Sequence, residues 1–558
     1  MTGPRALTDL TDRELGSSAP AANRHERTAR GSSTSGTLTG RAWAMLAVLG
    51  VAWALWHAGI GRRALVNPGG WTLQRRFWAA AVHPELSSGF LATTWRDALT
   101  TMAYATLGTA LSVMIGILGG IAISETWWKR EGSGRARPMG TGGRRAGWYA
   151  NRAAWGIPRG IHEAVWGLYL INILGRDPLV GILAIAIPFG AITAKVYADL
   201  IDEHAQGAYA ALRAAGSGRV AALSYGVLPQ TLPDLVSYTF YRFECSIRSA
   251  VILGMIGAGG LGFRLSLSFQ ALAYREMWTT IYMLVLISAI ADRWGSSLRR
   301  SPTRRQVRTS IVLGVVLCFA SIARLRPDLG RALSPRTRSL VVDLVERSWP
   351  PSPPRDGWWG LIERSIDTFQ MSLLAIAFAS TLAILTAFVA ARGGVAPARR
   401  ATAALARLLL LVTRAIPPPV WALLVLFVLY PGPLPGAVAL GVYNFGILGR
   451  LCAEVVENTD PTPARALYAL GAPPTTVFAY ATVPLSLGRF AAYSLYRWEV
   501  ALRETVIVGV VGAAGLGRLL EQQRAAFDYS GMFATVLALL TLSLVVDAIS
   551  GAARRSFR

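Results

Sequence analysis

Three cysteines in 558 residues, Cys245, Cys318 and Cys452, each isolated in an apolar setting, offer neither a disulfide framework nor a metal-ligand spacing. They read as small buried residues. The five histidines (His25, His57, His83, His162 and His204) include no HExxH and no paired spacing, so zinc chemistry has no support. Charge is also scarce, at 16% of residues against 53% hydrophobic, with a mean hydropathy of +0.40. A soluble chain of this length needs more charge to cover its surface. No GxxxxGK[ST] occurs, so the chain has no P-loop of its own, and an ATP-driven process would need another subunit. No nucleophile–base or metal constellation appears, which ranks an enzyme last.

What the chain does have is apolar runs near the bilayer-spanning length of roughly 20 residues, repeated from end to end. They fall at about 42–60, 99–123, 157–174, 179–200, 235–256 and 277–291, then 311–323, 366–390, 408–430, 434–452, 485–508 and 532–549. This is an all-α polytopic membrane protein with about twelve transmembrane helices and both ends expected in the cytoplasm. The net charge of +25 comes mostly from arginines between apolar runs, the pattern of cytoplasmic loops. Nucleic acid is therefore not the expected partner; the lipid bilayer is. Residues 1–40, polar and Arg-rich, read as a disordered cytoplasmic tail. The segments 61–96 and 325–364 should be external yet carry several arginines. Amphipathic stretches at the outer surface explain them, and a misplaced first span in each half is the rival account.

The chain is one unit built twice. The block 238–262, YTFYRFECSIRSAVILGMIGAGGLG, returns at 493–517 as YSLYRWEVALRETVIVGVVGAAGLG, about half of it identical at a constant offset. The division expected is a first repeat over 41–300 and a second over 301–558. With six spans each, the repeats are parallel, and a pore between them would be lined twice. Within each block Tyr241, Arg242, Glu244 and Arg248 correspond to Tyr496, Arg497, Glu499 and Arg503. Glu244 and Arg248 are four apart, as are Glu499 and Arg503, so each pair shares a helical face. Charge beside apolar helix is kept for a pathway, a partner or a packing role, and the spacing leaves these open. The run Gly257-Ala258-Gly259-Gly260-Leu261-Gly262 matches GxGxxG literally, but a dinucleotide site needs a strand before it. Its copy keeps Gly512, Gly515 and Gly517 but has Ala514 where the first has Gly259, so it lacks the motif's middle glycine. The glycines instead end the helix and let backbones approach.

Between spans four and five of each half lies a polar loop with fixed internal spacing. Ala211 and Leu212 precede Gly216, then Leu228 and Pro229; Ala466 and Leu467 precede Gly471, then Pro484. A short amphipathic helix ended by glycine fits both. These loops resemble the coupling motif of ABC-importer permeases, EAA, three residues, Gly, nine residues, IxLP. The segments Tyr225-Gly226-Val227-Leu228-Pro229-Gln230, Tyr241-Arg242-Phe243-Glu244, Tyr496-Arg497-Trp498-Glu499 and Arg414-Ala415-Ile416-Pro417 resemble the phosphonate-importer permease family more narrowly. The resemblance implies the type I ABC-importer permease fold, here two copies fused in tandem. It also implies separate ABC ATPase subunits that bind ATP and dock on the loops at the cytoplasmic face, and an extracytoplasmic binding protein that delivers phosphonate or a related phosphorus oxyanion. No cofactor is expected in this chain. The motif's glutamate is replaced by Ala210 and by Arg465, which puts the strength of coupling in question. Fixed arginines, Arg242, Arg248, Arg497 and Arg503, would offset the lost hydration of an anion. The alternatives are a permease for a different small solute and an ion-coupled secondary carrier acting without an ATPase.

Overall fold

The computed structural model describes residues 40–62, 64–128, 143–204, 207–300, 303–391 and 397–556. The expected tail lies outside them up to residue 39. In chain order the main helices are α1 (Gly40–His57), α2 (Gly70–Ala79), α3 (Ser88–Ile123), α4 (Gly143–Gly160), α5 (Glu163–Leu174), α6 (Leu179–His204), α7 (Ala208–Ala214), α8 (Leu228–Leu253), α9 (Gly260–Gln270) and α10 (Tyr274–Arg300). The second half adds α11 (Arg304–Leu325), α12 (Pro335–Ser348), α13 (Gly357–Ala390), α14 (Pro397–Ala415), α15 (Pro418–Val428), α16 (Pro433–Glu457), α17 (Thr462–Ala469), α18 (Val483–Val510), α19 (Leu516–Ala525) and α20 (Tyr529–Ser556). Among the described residues the only β pairing is one isolated bridge, Val66 to Leu429.

Seven of these helices, α3, α6, α10, α11, α13, α16 and α20, are long and apolar enough to cross a bilayer, and two bent pairs, containing α8 and α15, bring the number to nine. The other three expected spans are present as helices that are short or interrupted by charge: α1, α5 and α18. Two expected spans are corrected in extent. The run at 408–430 is broken at Ile416, where α14 and α15 meet at 93°. Pro417, Pro418 and Pro419 cause the break, since proline bars helical backbone in the residue before it and donates no N–H. The run at 157–174 is likewise split. Its apolar helix begins only at Glu163, behind the cap His162, whose Nδ1 accepts from Ala164 N–H. The segments expected to be amphipathic outside the first spans contain α2 and α12.

The chain divides into two compact units that do not follow sequence order. The first contains Arg76–Trp349. The second contains Pro350–Arg558 together with the described residues of 40–75. In the first unit α6 lies at the centre, 78% of its apolar window buried, while α11 packs on α3 with only 11% buried. The residues α11 exposes, Val312, Val315, Val316 and Phe319 among them, form the apolar surface a bilayer covers. In the second unit α16 is central, with 72% buried, and α1 packs on α13. Gln370 of α13 fastens α1 there: its Nε2 donates to Ala54 O at 2.7 Å, and its Oε1 lies 2.8 Å from His57 Nδ1.

The glycine clusters fold the chain back on itself in the same way twice. After α8, Gly257 takes φ +117 and Gly260 φ +75; after α18, Gly512 takes φ +111 and Gly515 φ +80. These are backbone conformations that side chains resist. The returning helix then lies backbone to backbone on the one before it, with Gly262 against Val251 O and Gly517 against Val506 O. A threonine on the long helix fixes each return. Thr101 Oγ1 accepts from Leu261 N, and Thr368 Oγ1 accepts from Leu516 N, both at 2.9 Å.

Candidate functional site

Arg242 and Glu244 of α8 and Arg497 and Glu504 of α18 are buried, and the two copies solve that problem differently. In the second unit Arg497 is held from α16 and from its own helix. Its Nε and Nη2 donate to Asn444 Oδ1 at 2.8 and 2.5 Å, and Nη2 also donates to Glu504 Oε1 at 3.1 Å. Asn444 Nδ2 returns a bond to Glu504 Oε2 at 3.1 Å and donates to Leu440 O. Glu504 follows Arg497 by two turns, which brings both to one face. The result is a closed ring of charge and amide in which each group answers another, the condition under which buried charge is tolerated. Glu499, expected beside Arg503 by spacing, sits 2.5 Å from Arg554 of α20. The i,i+4 geometry permits the first contact, but a long-range partner takes the closest approach.

In the first unit Arg248 Nη2 lies 3.6 Å from Glu244 Oε1. Arg242, 6% exposed, places its guanidinium carbon 3.7 Å above the ring centre of Phe189 on α6. A cation over an aromatic face is favourable, but it leaves the in-plane donors unused, and Nε and Nη2 have no hydrogen-bond partner. Position 189 corresponds to Asn444, and position 249, a serine, to Glu504. Ser249 instead donates to Glu163 Oε1 of α5 at 2.6 Å. Tyr241 is exposed and Tyr496 half-buried beside these residues. Sequence reasoning missed Glu504 and Asn444 because neither is duplicated. The signal was an unmatched acid in ALRETVIVGV and an amide in the apolar run VYNFGI.

The loop motif forms a second constellation, one per unit. The short helices α7 and α17 each end on a left-handed glycine, Gly216 at φ +88 and Gly471 at φ +80. Both ends close by the same pair of bonds: Gly216 N to Arg213 O with Ser217 N to Leu212 O, and Gly471 N to Tyr468 O with Ala472 N to Leu467 O. Asp460 starts α17, accepting from Thr462 N and Thr462 Oγ1, and those bonds hold its carboxyl below the usual range. Leu212 and Leu467 are half-buried, whereas Ala211, Gly216, Leu228, Pro229, Ala466, Gly471 and Pro484 are exposed. So are Ala210 and Arg465, where the motif's glutamate would stand. A one-turn π-helical stretch follows in each unit, Leu223–Val227 and Phe478–Thr482. At the same position in each it presents a tyrosine: Tyr225, 80% exposed, and Tyr480, 77% exposed.

Two helical units, each joining buried charge in its apolar core to an exposed loop helix, define a duplicated multi-pass membrane transport component. Residues 155–301 and 367–558, together more than half of the chain, match the family described as binding-protein-dependent transport system inner membrane component. The chain belongs to that family and carries its domain twice; it is a permease subunit and not an enzyme. It is 27% identical over 424 residues, 72% of its own length and 76% of the relative's, to the phosphate-import permease protein PhnE of Mycolicibacterium smegmatis. It is 34% identical over 206 residues, 37% of its length and 74% of the relative's, to the phosphite transport system permease protein PtxC of Stutzerimonas stutzeri. Over 118 residues, 21% of its length and 97% of the relative's, it is 30% identical to the putative cryptic phosphonate transport system permease protein PhnE2 of Escherichia coli.

Proposed function

We propose that the chain is the transmembrane permease of an ATP-driven importer for phosphonate, phosphite or phosphate, with both permease units supplied by one polypeptide. The observation that carries this is the alignment over 72% of the chain with a phosphate-import permease, alongside phosphite and phosphonate permeases matching parts of it. Separate ATPase subunits bind and hydrolyse the ATP and dock on α7 and α17 at the cytoplasmic face of the cell membrane, where both termini also lie. A binding protein on the other face delivers the anion. In proteoliposomes holding the chain and its ATPase, with binding protein and ATP on the appropriate sides, labelled methylphosphonate, phosphite or phosphate is expected to accumulate only with ATP hydrolysis. Uptake driven by an ion gradient with no ATPase present would replace this reading with a secondary carrier.

The docking surface has lost its acid at Ala210 and Arg465 but keeps paired exposed aromatics. Aromatic side chains supply large contact area at small entropic expense, as interface anchors do. Tyr225→Asp combined with Tyr480→Asp is therefore expected to lower ATPase co-purification and stimulated hydrolysis at least tenfold, leaving the chain's own melting temperature unchanged. Unaltered hydrolysis would move the contact elsewhere on the loops.

A further inference from the structure

The duplicated arginine has its fork of donors filled in one unit and unused in the other. Nε and Nη2 form the guanidinium edge that grips two oxygens of an oxyanion at once. In Arg497 that edge is spent on Asn444 and Glu504. In Arg242 both atoms are buried without a partner, because Phe189 and Ser249 stand where the amide and the acid would be. Burying unused donors on a charged group is expensive enough that proteins rarely keep them without a ligand.

The difference extends to the neighbouring helix. Ser249 bonds Glu163, and Gly167 lies against Leu253 and Ile256, so α5 and α8 run side by side in the same direction. On α5, Trp166 Nε1, Tyr169 Oη and Asn172 Nδ2, spaced three apart, are also buried without hydrogen-bond partners. Their counterparts on α15 are Trp421, whose Nε1 donates to Thr413 O at 3.2 Å, and the apolar Leu424 and Phe427. These α5 atoms lie beyond Ser249 along the pair, whereas Arg242 lies two turns before it, so they repeat the asymmetry between the units without sharing a site with Arg242. Glu163 lies within electrostatic reach of Arg242, but its carboxylate is engaged by Ser249 and faces His162 at 3.2 Å.

We propose that Arg242 on α8 of the first unit is the permease's own point of attachment for a tetrahedral phosphorus oxyanion, and that its counterpart Arg497 in the second unit has become part of a structural lock with Asn444 and Glu504. The substrate class rests on the function proposed above; the asymmetry does not. The two repeats therefore do unequal work, which fusion in one chain makes possible, since each copy is then free to diverge without affecting the other.

The test is equilibrium binding of labelled inorganic phosphate, phosphite and methylphosphonate, with sulfate as a further probe, to the purified full chain in nanodiscs, without ATPase or binding protein. Saturable binding of at least one phosphorus anion is expected, weakened at least roughly tenfold by Arg242→Gln. Arg497→Met combined with Glu504→Leu removes the lock's charges together and is expected to bind as the wild type does. A second variant guards against simple misfolding: Phe189→Asn with Ser249→Glu transplants the lock onto Arg242, and should raise the melting temperature while abolishing binding. The site is overturned if the wild-type chain shows no saturable binding, if Arg242→Gln binds as tightly as the wild type, or if the transplanted lock still binds. Loss of the site with ATP-driven phosphorus uptake intact would leave the function standing. Arg242-dependent binding of sulfate alone would instead overturn the phosphorus assignment.

Discussion

Replacing Glu504 with leucine is expected to destabilise the second unit by about 3–5 kcal/mol, the scale for removing one partner of a buried ion pair. The substitution removes the carboxylate that accepts from Arg497 Nη2 at 3.1 Å, and takes from Asn444 Nδ2 its carboxylate partner. In an apolar core neither group can turn to water. The same leucine introduced together with Arg497→Met is expected to recover most of that loss, because no unpaired charge remains and only the Asn444 amide has lost its partners there. Fluorescence-detected size-exclusion after heating distinguishes the two, and the contrast between single and double variants is the informative quantity. If Glu504→Leu alone melts like the wild type, the ring of Arg497, Asn444 and Glu504 does not hold the unit together, and Arg497 returns as a candidate for the pathway.

How much of this was legible in the sequence depends on whether a feature was local. Apolar runs and the duplication announce themselves residue by residue, so the two repeats and nearly all spans could be read, with helix ends extended by a turn or more where polar residues continue α3 and α10. The glycine clusters could be read as turns, because a position such as Gly257 or Gly512 has no other common reason to persist. The break at Ile416 was also present in the sequence, as three consecutive prolines, but the apolar run across it masked the signal. The lock could not be read by comparing the copies, since Glu504 and Asn444 each face a different residue in the first repeat. The pairing of Glu499 with Arg554, and the membership of α1 in the unit of the second repeat, join residues far apart in sequence. Periodicity and spacing carry no information about either.

Gly262→Ala and Gly517→Ala are expected to be among the most disruptive single methyl additions to this chain. A Cβ at Gly262 would fall well inside contact distance of Val251 O and near Met255 N at 2.9 Å; one at Gly517 would strike Val506 O and its Cα at 2.8 Å. These obstacles are backbone atoms of a helix, which cannot rotate away as a side chain can, so α9 or α19 must lift off its neighbour. Lifting α9 stretches the bond from Leu261 N to Thr101 Oγ1 and opens a gap around Leu261 and Leu265, both fully buried. Overpacking of this kind costs about 1–3 kcal/mol where side chains can adjust, and more where they cannot. Gly314→Ala in α11 is the matched control: its Cβ would meet nothing within 4 Å, and a helix interior gains roughly 1 kcal/mol from alanine over glycine. The measurement is the monodisperse fraction and melting temperature of each variant after extraction from the membrane. Aggregation or a large drop is expected for the first two, and wild-type behaviour or better for the control. If Gly262→Ala were as well folded as Gly314→Ala, the backbone contact between α8 and α9 would have to be looser than 2.9 Å implies, and the fold-back would owe its form to Gly257 and Gly260 alone.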